Sequence, residues 1–286
     1  IYNCNAILDQ AIFKNIANLQ GYSANDISEW NGIYTGKYKT LINVPISIAS
    51  ALAASSVPAL TAAYTNGKKD AVRAQINTAI RFIMVVAFPC AVGMGVLASP
   101  ILQLLFRDSS ELAASMLQLG AVSIVFFSLS TLSNGLLQGI NRMREPVKNA
   151  LIALVLHICL LVVLMYAFKL NIYAVVYANA FFGLLMCLLN AYSVRKYSGY
   201  QQEIKRTFVI PGISALIMGV AVYLSYQLFL YILRVNAIAT VFSILIGVVV
   251  YAVVLLLLKG LTEEEILKFP KGAALVRLAR KLHLLR

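Results

Sequence analysis

Charge is scarce in this sequence. Only 12% of its 286 residues are Asp, Glu, Lys or Arg, where an ordinary soluble domain has about 25%. Eleven are acidic, two are histidine and one is tryptophan. There is no Cys-X-X-Cys pair, no His-Glu-X-X-His, no Cys/His or His/Asp grouping and no glycine-rich phosphate loop. Cys4, Cys90, Cys159 and Cys187 each sit in an apolar run and read as small hydrophobes. These absences exclude a soluble globular enzyme, a disordered tail and a disulfide-stapled module. What is present is 60% apolar residues and a mean hydropathy of +0.81. The fold class that follows is all-α, a polytopic membrane bundle.

A membrane-crossing helix needs about 20 mostly apolar residues. Eight segments qualify, at 1–19, 41–62, 80–105, 112–139, 147–168, 171–193, 207–233 and 237–258. Turn or charge signals separate them, among them Asn66-Gly67-Lys68-Lys69, Arg107-Asp108-Ser109 and Ser198-Gly199. The runs are too long for the roughly ten-residue strands of a barrel.

The net charge of +13 reads as loop charge facing anionic lipid, not as a nucleic-acid surface. If the loop after the second span is placed inside, eighteen Lys and Arg fall on that side and five on the other, with Lys14 inside a span. That alternation puts the C-terminus in the cytoplasm and starts the first span there. The chain opens at Ile1 already in a helical pattern, with no basic leader, and reads as lacking its beginning. Residues 259–286 read as a basic amphipathic tail, with a capping box at Thr262 and Glu265 and a break at Pro270. Such a helix lies on an anionic membrane surface or packs on cytoplasmic loops.

Two spans are too polar for plain lipid anchors. In the first, Asn3, Gln10, Lys14 and Asn18 share one stripe, while Asn5 and Asp9 form a second patch nearly opposite. Ionisable groups at depth face a cavity or a partner. The fourth span carries Asn134 and Gln138 among several Ser and Thr, which line a cavity or bond back to their own helix. In the second span Ser47, Ala51 and Ser55, and likewise Ser50 and Ala54, recur at a spacing that lets helices approach. Pro45, Pro58, Pro89 and Pro100 are expected to kink their helices. His157, alone in the fifth span, reads as a hydrogen-bonded packing residue. Spans 207–233 and 237–258 are nearly uncharged and read as lipid-facing or tail-binding.

Gly32-Ile33-Tyr34-Thr35-Gly36, Leu41-Ile42-Asn43-Val44-Pro45 and Ser56-Val57-Pro58-Ala59-Leu60 resemble the seventh-to-eighth helix region of the lipid-linked oligosaccharide flippases. The resemblance is to the stage V sporulation protein B / YtgP branch, related to the MurJ-type lipid II flippases. Gly135-Leu136-Leu137-Gln138-Gly139-Ile140-Asn141-Arg142 is similar to that family's tenth-helix ending, and Phe269-Pro270-Lys271-Gly272 to its C-terminus. The order and spacing of these segments carry the likeness along nearly the whole chain.

The resemblance implies two six-helix lobes plus two extra C-terminal helices. Residues 1–193 would be the second lobe, 207–258 the extra pair, and the first lobe would be absent from this sequence. It implies movement of polyprenyl-diphosphate-linked sugars across a bacterial plasma membrane by alternating access, with cations in a central cavity holding the diphosphate. Where MurJ-type relatives carry an arginine shortly before the eighth helix's proline, this chain has Thr40. Lys39 is therefore the first expected contact, then Lys37 and Lys14. Asn3, Gln10, Asn18, Asn43, Asn134 and Gln138 are expected to line the cavity. Asp9 with Asn5 is the expected site of a coupling cation, sodium or proton; no other cofactor is implied. The extra helices would border a groove for the lipid tail. Two rivals remain: a drug/cation antiporter of the same superfamily, and a membrane enzyme or scaffold of cell-wall lipid metabolism. The antiporter wants acids in the cavity, and this chain offers one acid against several cations.

Overall fold

The computed structural model describes residues 2–261 and 277, with side chains from Asn5 onward. The side chain of Asn3 and nearly all of the amphipathic segment at 262–286 lie outside the described residues. Eleven helices follow one another, with no strand among the described residues. They are α1 (Tyr2–Leu19), α2 (Ala24–Ile33), α3 (Lys39–Thr65), α4 (Lys69–Val96), α5 (Ala98–Phe106), α6 (Glu111–Gly120), α7 (Ser123–Gly139), α8 (Arg144–Tyr166), α9 (Asn171–Ser198), α10 (Ile210–Leu233) and α11 (Asn236–Leu257).

Six helical runs are long and apolar enough to cross a membrane, or seven if the bent α6–α7 pair is one span. Eight were expected. The difference is α1, which is long enough at 18 residues but too polar by composition. The exterior agrees with a lipid solvent. Leu216, Val220, Leu224 and Tyr231 on α10, and Leu245, Val248 and Val249 on α11, are all exposed, an apolar exterior suited to lipid.

Three boundaries differ from the sequence reading, each for a local reason. The second span does not begin near residue 41. A π-helical turn at Tyr34–Tyr38 joins α2 to α3, so one helix runs from Ala24 to Thr65. Its polar residues satisfy themselves on the backbone: Thr35 Oγ1 donates to the Asn31 carbonyl and Thr40 Oγ1 to that of Gly36. The third span is broken at Leu97. Pro100 does not kink one helix; it stands in the first turn of α5, because it cannot donate to the Val96 carbonyl and its ring crowds that group. The fourth span bends by 47° between α6 and α7. Gly120 ends α6 where the Tyr38 ring passes, in space a side chain would need, and Ser123 Oγ closes the turn on the Gly120 carbonyl.

Pro45, Pro58 and Pro89 do lie inside helices. Pro89 leaves the Val85 carbonyl without its helical donor, and the Tyr251 hydroxyl of α11 donates to that oxygen at 2.8 Å.

The bundle is organised around α3, α7 and α9, with α4 and α8 packed on its flanks and α1 lying against α8 and α9. The α3 face that meets α7 is Ala49, Ala53 and Leu60; the expected stripe of Ser47, Ala51 and Ser55 is exposed. A Cβ built on Gly135 would lie 2.8 Å from that of Ala53, so the two helices touch at backbone distance. Helices α10 and α11 form a hairpin on α4, with a separate apolar cluster of Val85, Leu97, Met218, Val222, Tyr251 and Leu255. The strap at 199–204 is pinned to α4: Arg81 Nη2 donates to Glu203 Oε2, and the Tyr200 hydroxyl donates to Asn77 Oδ1 at 2.9 Å. Burial pushes the Tyr200 phenol up to about 12, so it remains a donor.

Candidate functional site

The polar patch Asn5–Asp9 sits four residues apart on α1 and is continued by Phe13, Ile16 and Ala17. That stripe turns inward against α8 and α9. Asp9 is 1% exposed, and its carboxylate is fully engaged. Oδ1 lies 2.5 Å from His157 Nε2 of α8, and Oδ2 accepts from Asn179 Nδ2 of α9 at 2.7 Å. The other His157 nitrogen, Nδ1, is 2.8 Å from the Ala178 carbonyl. Asn179 Nδ2 also reaches the Tyr34 hydroxyl at 2.9 Å, and Asn179 Oδ1 accepts from Asn5 Nδ2 at 3.3 Å.

This buried chain opens onto a cleft of about 450 Å³ between α1, α3, α7 and α9. Asn5, Tyr34, Lys39, Asn43, Thr131 and Asn179 line it. Lys39 is half-buried, with Nζ 4.9 Å from the centre of the Tyr34 ring, and Tyr34 stacks on Tyr38 at 5.3 Å. The cleft therefore combines one aromatic-held cation with neutral amides and hydroxyls. That set can hold an anion with several oxygens, because the cation supplies charge and the amides supply donors.

The structure separates the other expected cations from this cleft. Lys37 donates to Asp108 Oδ2 at 2.5 Å and ties the π turn to the α5–α6 loop. Burial works against the Asp108 carboxylate, but hydrogen bonds from Lys37 and Ser110 outweigh it and hold the carboxyl below its ordinary range. Lys14 and Asn18 are on the exposed face of α1, with Gln10 half-buried beside them, and none lines the cleft. Asn134 belongs to a different group. Its Oδ1 accepts from Asn190 Nδ2 at 2.8 Å, and Asn190 Oδ1 accepts from Asn149 Nδ2 at 2.9 Å, binding α7, α8 and α9 together. Gln138 is exposed near the end of α7. Sequence reasoning missed Tyr34 and Asn179 as site residues. His157 was read as hydrogen-bonded packing, and no spacing signal connects it to Asp9, 148 positions away.

Two apolar cavities lie elsewhere. One of about 480 Å³ runs between α4, α10 and α11, past Cys90, Met218, Val222, Gly247 and Val248. The other, about 810 Å³, lies between α4, α7, α9 and the strap, with Arg195 and Gln201 on its rim.

Residues 38–225 match a family model described as the lipid II flippase MurJ. The chain is similar to the lipid II flippase MurJ of Bacillus subtilis, with 28% identity over 209 residues, covering 68% of this chain and 38% of that protein. It is also similar to a probable lipid II flippase MurJ of Bdellovibrio bacteriovorus, with 29% identity over 191 residues, covering 63% and 36%. The matched stretch spans less than two-fifths of the length of these relatives.

Proposed function

The chain belongs to the MurJ lipid II flippase family, and from that premise we propose that it carries a polyprenyl-diphosphate-linked saccharide across the bacterial plasma membrane by alternating access. The observation that supports this most directly is Lys39 in its cleft. A diphosphate brought to membrane depth needs partnered positive charge, and Lys39 supplies it beside the donors of Asn5, Asn43 and Thr131.

The uncovered faces support a second lobe opposite this one. Gln10, Lys14 and Asn18 on α1, and Asn43, Ser47, Ser50 and Ala54 on α3, are polar or small where α8, α10 and α11 are apolar. Such faces suit a hydrated cavity wall, not lipid. The crevice between α4, α10 and α11 is apolar enough for the polyprenyl tail. The loop charges support a cytoplasmic C-terminus.

A coupling cation belongs at Asp9 and Asn5, with Asn5 on the cleft wall and Asp9 buried behind it. The rival antiporter reading needs a free acid to receive a cationic drug, and both oxygens of Asp9 are already taken. The test is transport by the intact protein in vesicles. Lys39→Ala lowers movement of a labelled polyprenyl-diphosphate saccharide while membrane insertion stays intact. Unchanged transport removes Lys39 from the site, and efflux of cationic dyes without saccharide movement would favour the antiporter.

A further inference from the structure

We propose that Asp9 and His157 hold one exchangeable proton between them, and that this proton is the cation coupled to the cleft. The inference rests on the transport reading above and supplies the identity of its coupling ion.

The hydrogen-bond geometry fixes the proton count. His157 Nδ1 faces the Ala178 carbonyl, which can only accept, so Nδ1 carries a hydrogen. Nε2 faces Asp9 Oδ1 at 2.5 Å. Either an imidazolium faces a carboxylate, or a neutral imidazole accepts from a carboxylic acid. Both arrangements place one proton in the gap, and both have zero net charge. Removing it sets two lone pairs against each other and leaves one uncompensated negative charge on side chains that are 0% and 1% exposed.

The donor set favours a proton over a metal ion. Hard cations take several oxygen ligands turned toward one point. Here Asp9 Oδ2 accepts from Asn179 Nδ2. That atom is the nitrogen, because it also faces the Val175 carbonyl at 3.0 Å. Asn179 Oδ1 is used by Asn5, and no group of three His, Cys, Asp or Glu exists among the described residues. Asn5 Oδ1 is the one acceptor of this group that is buried and without a partner.

The pair communicates with the cleft through Asn179 and the Tyr34 hydroxyl. Among the described residues, the charged and titratable groups facing it are Tyr34 of the π turn and Lys39 of α3, with Tyr38 stacked behind Tyr34; α9 contributes the Asn179 amide and the Ala178 carbonyl. With the cleft empty, the Lys39 charge opposes an added proton. An anion on Lys39 cancels that opposition, so headgroup binding favours the protonated pair. By linkage, protonation tightens headgroup binding by the same factor.

The test uses the intact protein in detergent with farnesyl diphosphate as the probe, over roughly pH 6–9 at fixed ionic strength, in sodium or potassium chloride. Affinity is expected to fall as pH rises, by at most about tenfold per pH unit for one linked proton, equally in both salts. Asp9→Asn, which keeps the side-chain volume, and His157→Gln each reduce the slope to whatever the probe's own titration leaves. Affinity that depends on sodium, or a slope as steep in Asp9→Asn as in the parent, overturns the proposal. If the probe fails to bind at any pH, the transport reading fails instead. The pair is then tested alone by pH-difference infrared spectroscopy of the unliganded protein. A carboxyl or imidazole signal that titrates and vanishes in Asp9→Asn supports the shared proton, and its absence refutes it.

Discussion

The Tyr251 hydroxyl donates to the Val85 carbonyl, the one that Pro89 deprives of its helical partner. A proline inside a membrane helix is tolerated where a neighbour re-satisfies the freed backbone group, and here that neighbour is α11. Tyr251→Phe should lower stability by about 1 kcal/mol. In a Pro89→Ala background the carbonyl regains its own donor, so the same change should cost clearly less. Thermal unfolding in detergent of the four proteins in this cycle measures the difference; equal costs in both backgrounds would break the link between Tyr251 and Pro89.

The contact between α3 and α7 depends on the absence of a side chain at Gly135. A methyl group there would meet Ala53 Cβ at 2.8 Å, closer than real contacts allow. Gly135→Ala is therefore expected to destabilise by about 1–3 kcal/mol. Ala53→Gly in the same chain should return part of that loss, and unfolding of the single and double variants checks it.

The Lys37–Asp108 pair, which joins the π turn to the loop after α5, should respond to acid in a definite direction. The Asp108 carboxyl is held below its ordinary range. Its contribution to stability is thus present above the unfolded value, near pH 4, and is lost as pH falls through the lower folded value. Asp108→Asn should cost within about 1 kcal/mol at neutral pH, as partly exposed pairs do. The gap between variant and parent should close on acidification. A gap that widens instead would show that Asp108 is stabilised in its protonated form.

Much of the architecture was legible from composition alone, because lipid-facing helices must be long and apolar. What hid was set by local backbone chemistry. The polar stretch 24–40 falls before the second apolar span, yet Thr35 and Thr40 satisfy themselves on their own helix and let it continue. Several small-residue stripes run along α3, and Gly135 and Gly139 on α7, which meet Ala53 and Leu60, select the packed one. The site was half legible. An acid at Asp9 and cations at 37 and 39 stand out in an apolar sequence. Two residues apart on a helical turn, however, Lys37 and Lys39 point to different sides, and the sequence does not say which is answered by Asp108. His157 and Asn179 reach Asp9 only through tertiary packing, so no spacing announces them.

The central claim is that the Lys39 cleft receives a polyprenyl diphosphate. Native mass spectrometry of the intact protein, released from its own membrane, tests it most directly. A bound polyprenyl-diphosphate species in the parent, strongly reduced in Lys39→Ala and retained in Lys37→Ala, is the expected result. Only bulk phospholipid on the parent, or equal retention in Lys39→Ala, would contradict it.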